Sequence, residues 1–250
     1  MNEEFLADVR IILVEPAGAL NVGAIARMMK NMGLSQLVLV NPHCDPLGSE
    51  ARMMAVHAQD ILVQAKIVGN LPAALVGCVR AIATTARERS LDSPLAHPRV
   101  ALPWLCCPTT PSALIFGPED RGLSNQELNY AQRFVRIPSS DAYPSLNLAQ
   151  SVAICAYELS QSAAGSSSLE VTEGAMPVEL NTSAPMEEIE AYYQQLEGLL
   201  LKIGYLYPHT AANRMEKFRR LFNRAGLSSN EVAMLRGILS QVEWAISHLQ

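Results

Sequence analysis

Apolar residues in the first 160 positions fall into short, often β-branched runs with turn residues nearby. These runs predict strands at Arg10–Glu15, Leu37–Val40, Ala81–Thr85, Ala113–Phe116 and Phe134–Ile137. Between them the apolar spacing changes to a helical one. Helices are predicted over Val22–Met32, around Glu50–Ala65, and over Leu71–Cys78. Ser124 and Glu127 form the S-x-x-E pattern of a capping box that opens another helix, and a further helix is predicted over Ser145–Leu159. Strands that alternate with helices indicate an α/β fold, a parallel sheet flanked by helices on both faces.

The pattern stops at residue 161. Gln161 to Glu170 is small and polar with no apolar period, and residues 161–185 read as a flexible linker. Helix signals then return. Pro185 is expected at a first helical position, with Glu187, Glu188 and Glu190 near the positive end of the helix dipole. Ser228 and Glu231 make a second capping-box pattern, and Val232, Leu235, Leu239, Val242 and Ile246 follow as one apolar stripe. The predicted organisation is therefore an α/β domain over 1–160, a linker over 161–185 and a small all-helical C-terminal domain over 186–250.

Composition narrows the function classes. At 49% hydrophobic and 17% charged residues, the chain has the mix of an ordinary globular protein. It contains no apolar run near the roughly 20 residues of a membrane span, and no signal-peptide pattern follows Met1. Five cysteines with no C-x-x-C pair point to reduced thiols and a cytoplasmic location. The five histidines (His43, His57, His97, His209, His248) show no metal-ligand spacing, so no metal is expected. The net charge of −5 does not announce a nucleic-acid binder, but its distribution is uneven. Residues 137–201 carry nine acids and no Lys or Arg, whereas Arg214, Lys217, Arg219, Arg220 and Arg224 crowd one short stretch against Glu216. On a helix Arg214, Lys217 and Arg224 share a stripe with Arg220 beside it, either a solvated face or a phosphate contact.

Three strand-to-helix loops carry candidate chemistry. The first holds Asn21, Gly23 and Arg27. It matches neither a dinucleotide glycine fingerprint nor a Walker loop, and by itself could be an N-cap followed by a solvated arginine. The second holds Gly117, Glu119, Arg121, Gly122 and Leu123 just after a predicted strand, where open α/β sheets bind ligands. The third runs from Ile137 through Tyr143, Pro144, Ser145, Leu146 and Asn147; Ser145 or Asn147 can cap the following helix, and free amides there can also hold a carboxylate.

Taken in order, the loops resemble the three motifs of the SpoU/TrmH branch of SPOUT methyltransferases: N-x-G-x-x-x-R as Asn21, Gly23 and Arg27; a G-x-E-x-x-G-L type as Gly117, Glu119, Gly122 and Leu123; and S-L-N as Ser145, Leu146 and Asn147. Leu13-Val-Glu-Pro, Val40-Asn-Pro, Thr84-Thr-Ala-Arg87, and the tail segments beginning at Leu221 and Leu235 are similar to the TrmJ group of that branch. The resemblance implies a C-terminal trefoil knot in the α/β domain, an exception to the rule against threaded chains, and a homodimer. It also implies S-adenosyl-L-methionine as cofactor and tRNA as substrate and partner. The implied reaction is 2′-O-methylation at nucleotide 32, C and/or U, of the anticodon loop. By the same resemblance Thr84, Thr85, Ala86, Gly117, Ile137, Pro144, Ser145 and Leu146 bind the cofactor. Arg27 and Ser145 are catalytic, and Asn21, Glu119 and Asn147, with Arg214, Lys217, Arg220 and Arg224 of the tail, bind substrate. Pro144 departs from the serine found in a bacterial relative; proline keeps its carbonyl but loses its amide. The alternatives are a catalytically silent knot-fold RNA-binding protein and 2′-O-methylation of rRNA.

In this family the arginine is proposed as a general base. A guanidinium stays protonated in proteins, and a phosphate partner favours that form further. A phosphate oxygen that takes the proton while Arg27 holds and orients it is equally consistent.

Overall fold

The computed structural model describes residues 6–85, 95–140, 142–165 and 183–248. The chain divides into two compact units, Met1–Thr172 and Glu173–Gln250.

The first unit is built on a seven-stranded, all-parallel sheet: β1 (Val9–Val14), β2 (Gln36–Val40), β3 (Lys66–Val68), β4 (Arg80–Thr84), β5 (Leu95–Ala96), β6 (Ser112–Phe116) and β7 (Arg133–Val135), in the order β3-β2-β1-β6-β4-β7-β5. Ile11 of β1 lies between Leu37 of β2 and Leu114 of β6. The central strand β6, Ser-Ala-Leu-Ile-Phe, is buried throughout, as expected where helices cover both faces. Side chains alternate across the pleat. Val9, Ile11 and Leu13 join the cluster formed with α1 (Ala19–Asn31), α2 (Ser49–Ala55), α3 (Gln59–Gln64) and α7 (Leu148–Gly165). Arg10 has the opposite parity. Its guanidinium donates to the Ala74 and Val76 carbonyls at the end of α4 (Leu71–Leu75), which places α4 on the second face. The remaining helices of this unit are α5 (Pro98–Ala101), followed by a 3-10 turn over Leu102–Leu105, and α6 (Asn125–Leu128).

All five predicted strands form. The expected helix around Glu50–Ala65 is two helices, interrupted at Val56, whose φ is +53°. The helix expected over Leu71–Cys78 ends at Leu75, just before Gly77 at φ +78°. The helix expected from Ser145 begins at Leu148, and it continues to Gly165, past residue 161 where the polar linker reading began. The rest of that reading, 166–182, lies outside the described residues.

The second unit holds α8 (Met186–Lys202), α9 (Ala211–Ala225) and α10 (Ser229–His248). Pro185 is the N-cap of α8 and not its first helical residue. Tyr192, Tyr193, Leu196, Leu206, Met215 and Val232 centre its core, with Leu235 and Leu239 packed against them. The second capping box forms: the Ser228 amide and hydroxyl both donate to Glu231 Oε2, and the Glu231 amide donates back to Ser228 Oγ.

Candidate active site

A parallel sheet brings the carboxyl ends of its strands to one edge. The loops that leave the neighbouring strands β1, β6, β4 and β7 meet there. The loops after β4, β6 and β7, with the start of α7, line a cavity of about 330 Å³, which is within the size range of small-ligand sites. Its walls include Thr84, Thr85, Gly117, Ile137, Pro144, Ser145 and Leu146, seven of the eight expected cofactor contacts. Ala86 lies outside the described residues. The cavity also has apolar walls: Leu123 of the second motif, and Phe116, Val135 and Leu148, three residues that carried no motif signal.

Glu119 ties the loops together. Its carboxylate accepts hydrogen bonds from the Ala17 amide (3.1 Å), the Gly18 amide (3.2 Å) and Asn21 Nδ2 (2.9 Å). Asn21 Oδ1 in turn accepts from Asn147 Nδ2 at 3.1 Å, and Asn147 Oδ1 caps α7 by accepting from the Ala149 and Gln150 amides. Partial burial opposes ionisation of Glu119, but the Asn21, Ala17 and Gly18 donors outweigh it and hold the carboxyl below its ordinary value. Asn21, Glu119 and Asn147, expected to bind substrate, are thus joined to one another and to the backbone amides around them.

A second clamp lies beside it. Arg121 donates to both oxygens of Glu127 (2.9 and 3.0 Å) and to Glu15 Oε2 (2.7 Å). Glu127 completes the α6 capping box with Ser124. The bonds to Glu127 first and Glu15 second push the Arg121 guanidinium above its ordinary value. Burial opposes the charge on Glu127, but Arg121 and Ser124 outweigh it and lower its pKa. The sequence placed Arg121 in the second loop and Glu15 in Leu13-Val-Glu-Pro, but nothing in it paired the two; Glu15 stands at the end of β1 with a φ of +48°.

Two motif glycines are required by close approach. A Cβ on Gly23 would lie 2.1 Å from the Ala51 carbonyl oxygen, so α1 and α2 touch backbone to backbone there. A Cβ on Gly117 would lie 2.3 Å from the Leu123 amide nitrogen, inside the fold of the second loop.

The two expected catalytic residues are placed differently. Ser145 lines the cavity, exposed, with no hydrogen bond to any described residue. Arg27 is exposed on α1, unpaired among the described residues, and is not part of the cavity wall. The Pro144 carbonyl accepts from Ser139 Oγ at 2.9 Å, and Thr84 Oγ1 donates to the Ile115 carbonyl at 3.0 Å, so these residues shape the wall through internal bonds. Burial pushes the Cys106 thiol up to about 11 and, aided by Glu158, the Cys155 thiol up to about 12, away from nucleophile chemistry. Among the described residues no group of three or more His, Cys, Asp or Glu could hold a metal ion, and no helix is long and apolar enough to cross a membrane.

In the second unit Arg214, Lys217 and Arg224 are exposed along α9. Arg220 is half-buried and paired with Glu216 at 3.5 Å. Arg219 leaves the basic run altogether: it is bidentate to Glu190 of α8 and lies over the Tyr193 ring.

A strand-end cavity walled by two of the motif loops, with the first hydrogen-bonded to both through Asn21, defines a class. The chain belongs to the SpoU rRNA Methylase family, which matches residues 8–157. The C-terminal domain of tRNA methyltransferase TrmJ matches residues 187–250. Over nearly its whole length the chain is similar to TrmJ enzymes. It is 39% identical to the tRNA (cytidine/uridine-2′-O-)-methyltransferase TrmJ of Pectobacterium atrosepticum, covering 95% of this chain and 98% of that one. It is also 39% identical to the tRNA (cytidine/uridine/adenosine-2′-O-)-methyltransferase TrmJ of Pseudomonas aeruginosa, covering 94% and 93%. The crystal structure of TrmJ from Z. mobilis ZM4 superposes with a TM-score of 0.81 at 32% identity, covering 95% of this chain and 100% of that one.

Proposed function

We propose that this protein is a cytoplasmic, S-adenosylmethionine-dependent tRNA ribose 2′-O-methyltransferase that acts as a homodimer on C and/or U at nucleotide 32, with the family trefoil knot formed by the threaded segment after β6. The observation that carries the reading is that the second and third motif loops wall one cavity with the loop after β4, that Asn21 of the first motif is hydrogen-bonded to Glu119 of the second and Asn147 of the third, and that the Ser145 hydroxyl stands on the cavity wall with no hydrogen bond to any described residue.

The residues suit the cofactor. Apolar side chains of Leu123, Val135, Ile137 and Leu146 can enclose an adenine, and Gly117 lets the second loop fold closely on its own backbone at the wall. When bound there, the cofactor supplies an electrophilic methyl on a sulfonium, which needs no metal. The protein positions the ribose hydroxyl and removes water. Positioning of this kind can contribute several kcal/mol to rate. Ser145 orients the hydroxyl, and a guanidinium holds an RNA phosphate whose oxygen accepts the proton. Because Arg27 stands outside the cavity of its own chain, Arg27 of a second copy is the natural source of that guanidinium. Arg214, Lys217 and Arg224 supply phosphate contacts, with Arg220 supporting them.

The experiment is transfer of labelled methyl to unmodified tRNA, with the product nucleotide mapped. Ribose methylation at C32 or U32 is the expected product. Cofactor binding without transfer to any RNA would leave only a silent module, and transfer to rRNA alone would move the substrate.

A further inference from the structure

The α8–α9 connection of the second unit presents aromatic rings to solvent where a small helical domain would ordinarily bury them. Leu206 is 1% exposed and anchors the segment in the core, yet its neighbours Tyr205 and Tyr207 are each 54% exposed. The segment is a built turn. The Tyr205 and Leu206 amides both donate to the Leu200 carbonyl, Gly204 turns the chain at φ +76°, and the Thr210 and Ala211 amides both donate to the Tyr207 carbonyl. The rings are held from outside as well. Tyr207 stacks with exposed His209 at 6.0 Å between centroids and 25° between planes. Arg214 lies 5.9 Å from the centre of the Tyr205 ring and donates to the Tyr205 carbonyl at 3.1 Å. Arg214 also begins the exposed cationic stripe of α9 that continues through Lys217 and Arg224.

Exposed flat rings on a rigid turn, running directly into a row of cations, are the combination that binds single-stranded nucleic acid: bases stack on the rings while the cations follow the phosphates. A protein-binding patch would more commonly place its rings at the centre of an uncharged surface. We propose that Tyr205 and Tyr207, with His209, form a stacking platform for unpaired nucleobases of the RNA substrate. This rests on the reading that the helical unit binds RNA and adds what it recognises: unpaired bases as well as backbone charge.

Stacking and charge differ in salt dependence, because only phosphate neutralisation releases counterions. The test uses full-length protein and an unmodified tRNA transcript, with affinity measured across a range of salt concentrations. Tyr205→Leu/Tyr207→Leu keeps apolar bulk on the turn but removes the π faces. It is expected to weaken binding by about tenfold or more at every salt concentration with no change of salt slope. Tyr205→Phe/Tyr207→Phe keeps the faces and is expected to stay within about twofold of the parent. Lys217→Ala/Arg224→Ala should lower both affinity and slope. If the leucine pair binds tRNA as the parent does, the platform is wrong. If the alanine pair also leaves affinity and slope unchanged, the RNA-binding reading of the whole unit fails with it. Loss in the phenylalanine pair equal to that in the leucine pair would assign the effect to the hydroxyls and overturn stacking.

Discussion

At the scale of single residues, the site is organised by a carboxylate that three donors require to be charged. Glu119→Gln keeps the shape of the side chain but places an amide NH2 among the Ala17, Gly18 and Asn21 donors. At least one donor loses its acceptor, at a cost of order 1 kcal/mol or more. Cofactor affinity is expected to fall about tenfold, measured by calorimetry, while the fold survives. A glutamine variant with parental affinity would show that the junction does not shape the cavity. The pH dependence has a definite sign. A carboxyl whose folded pKa is depressed stabilises the folded state fully above its unfolded value, about 4.3 for Glu, and loses that contribution as pH falls through the folded value. Cofactor affinity should therefore not vary through Glu119 between neutral pH and about pH 5, and should fall in more acidic solution. Arg27 makes the opposite case, an exposed residue whose side chain has no partner among the described residues. Arg27→Ala is expected to abolish methyl transfer and leave cofactor affinity within about threefold, since the cavity wall is untouched. Near-parental turnover would remove it from the chemistry.

At the scale of elements, close packing of α1 on α2 depends on one missing side chain. Gly23→Ala drives a methyl against the Ala51 carbonyl, which belongs to rigid helix backbone and cannot swing aside. Overpacking of this kind costs about 1–3 kcal/mol, read as a lower denaturant midpoint at unchanged slope. Because α1 also carries Asn21, activity should fall more steeply than stability. The sequence displayed the central strands and α1 because their apolar residues repeat at strand or helix period over enough positions to be distinctive. It concealed β3 and β5, at three and two residues too short for any period, and the break between α2 and α3. That break rests on Val56 at φ +53°, where a β-branched residue is out of character and no Gly or Pro marks the turn. Gly77 was a readable stop for α4 that apolar spacing alone overrode. In the site, the loop residues were legible because three ordered motifs coincide. The Arg121–Glu15 pair joins positions 106 apart in sequence and is visible only once β1 and β6 lie side by side. The same holds for α9: Arg219 reads as part of a basic run until Glu190 of α8 is seen to take both its donors.

At the scale of the whole molecule, the two units are expected to divide the work. Removing residues 186–250 should leave a folded, cofactor-binding α/β unit that methylates tRNA poorly and whose residual RNA affinity falls less steeply with salt. A truncated protein with parental tRNA affinity and slope would separate the helical unit from RNA binding. The more searching prediction concerns the second copy. The free hydroxyl of Ser145 and the free guanidinium of Arg27 are both exposed, but only Ser145 lines the cavity of its chain. If catalysis needs both, a symmetric dimer can complete each site with Arg27 from one copy and Ser145 from the other. Arg27→Ala and Ser145→Ala homodimers would each be inactive, because every site would lack one of the two groups. In a heterodimer of the two variants, one site combines both lesions and the other combines both intact residues. Random pairing on coexpression then restores about one quarter of the parental activity per chain. Heterodimers isolated through two different affinity tags should reach about half. A site completed within one chain gives the opposite result, since each half of the heterodimer would carry its own lesion and activity would stay at the level of the single variants. Methyl transfer by the tagged heterodimer thus distinguishes an active site shared between copies from one that each copy builds alone.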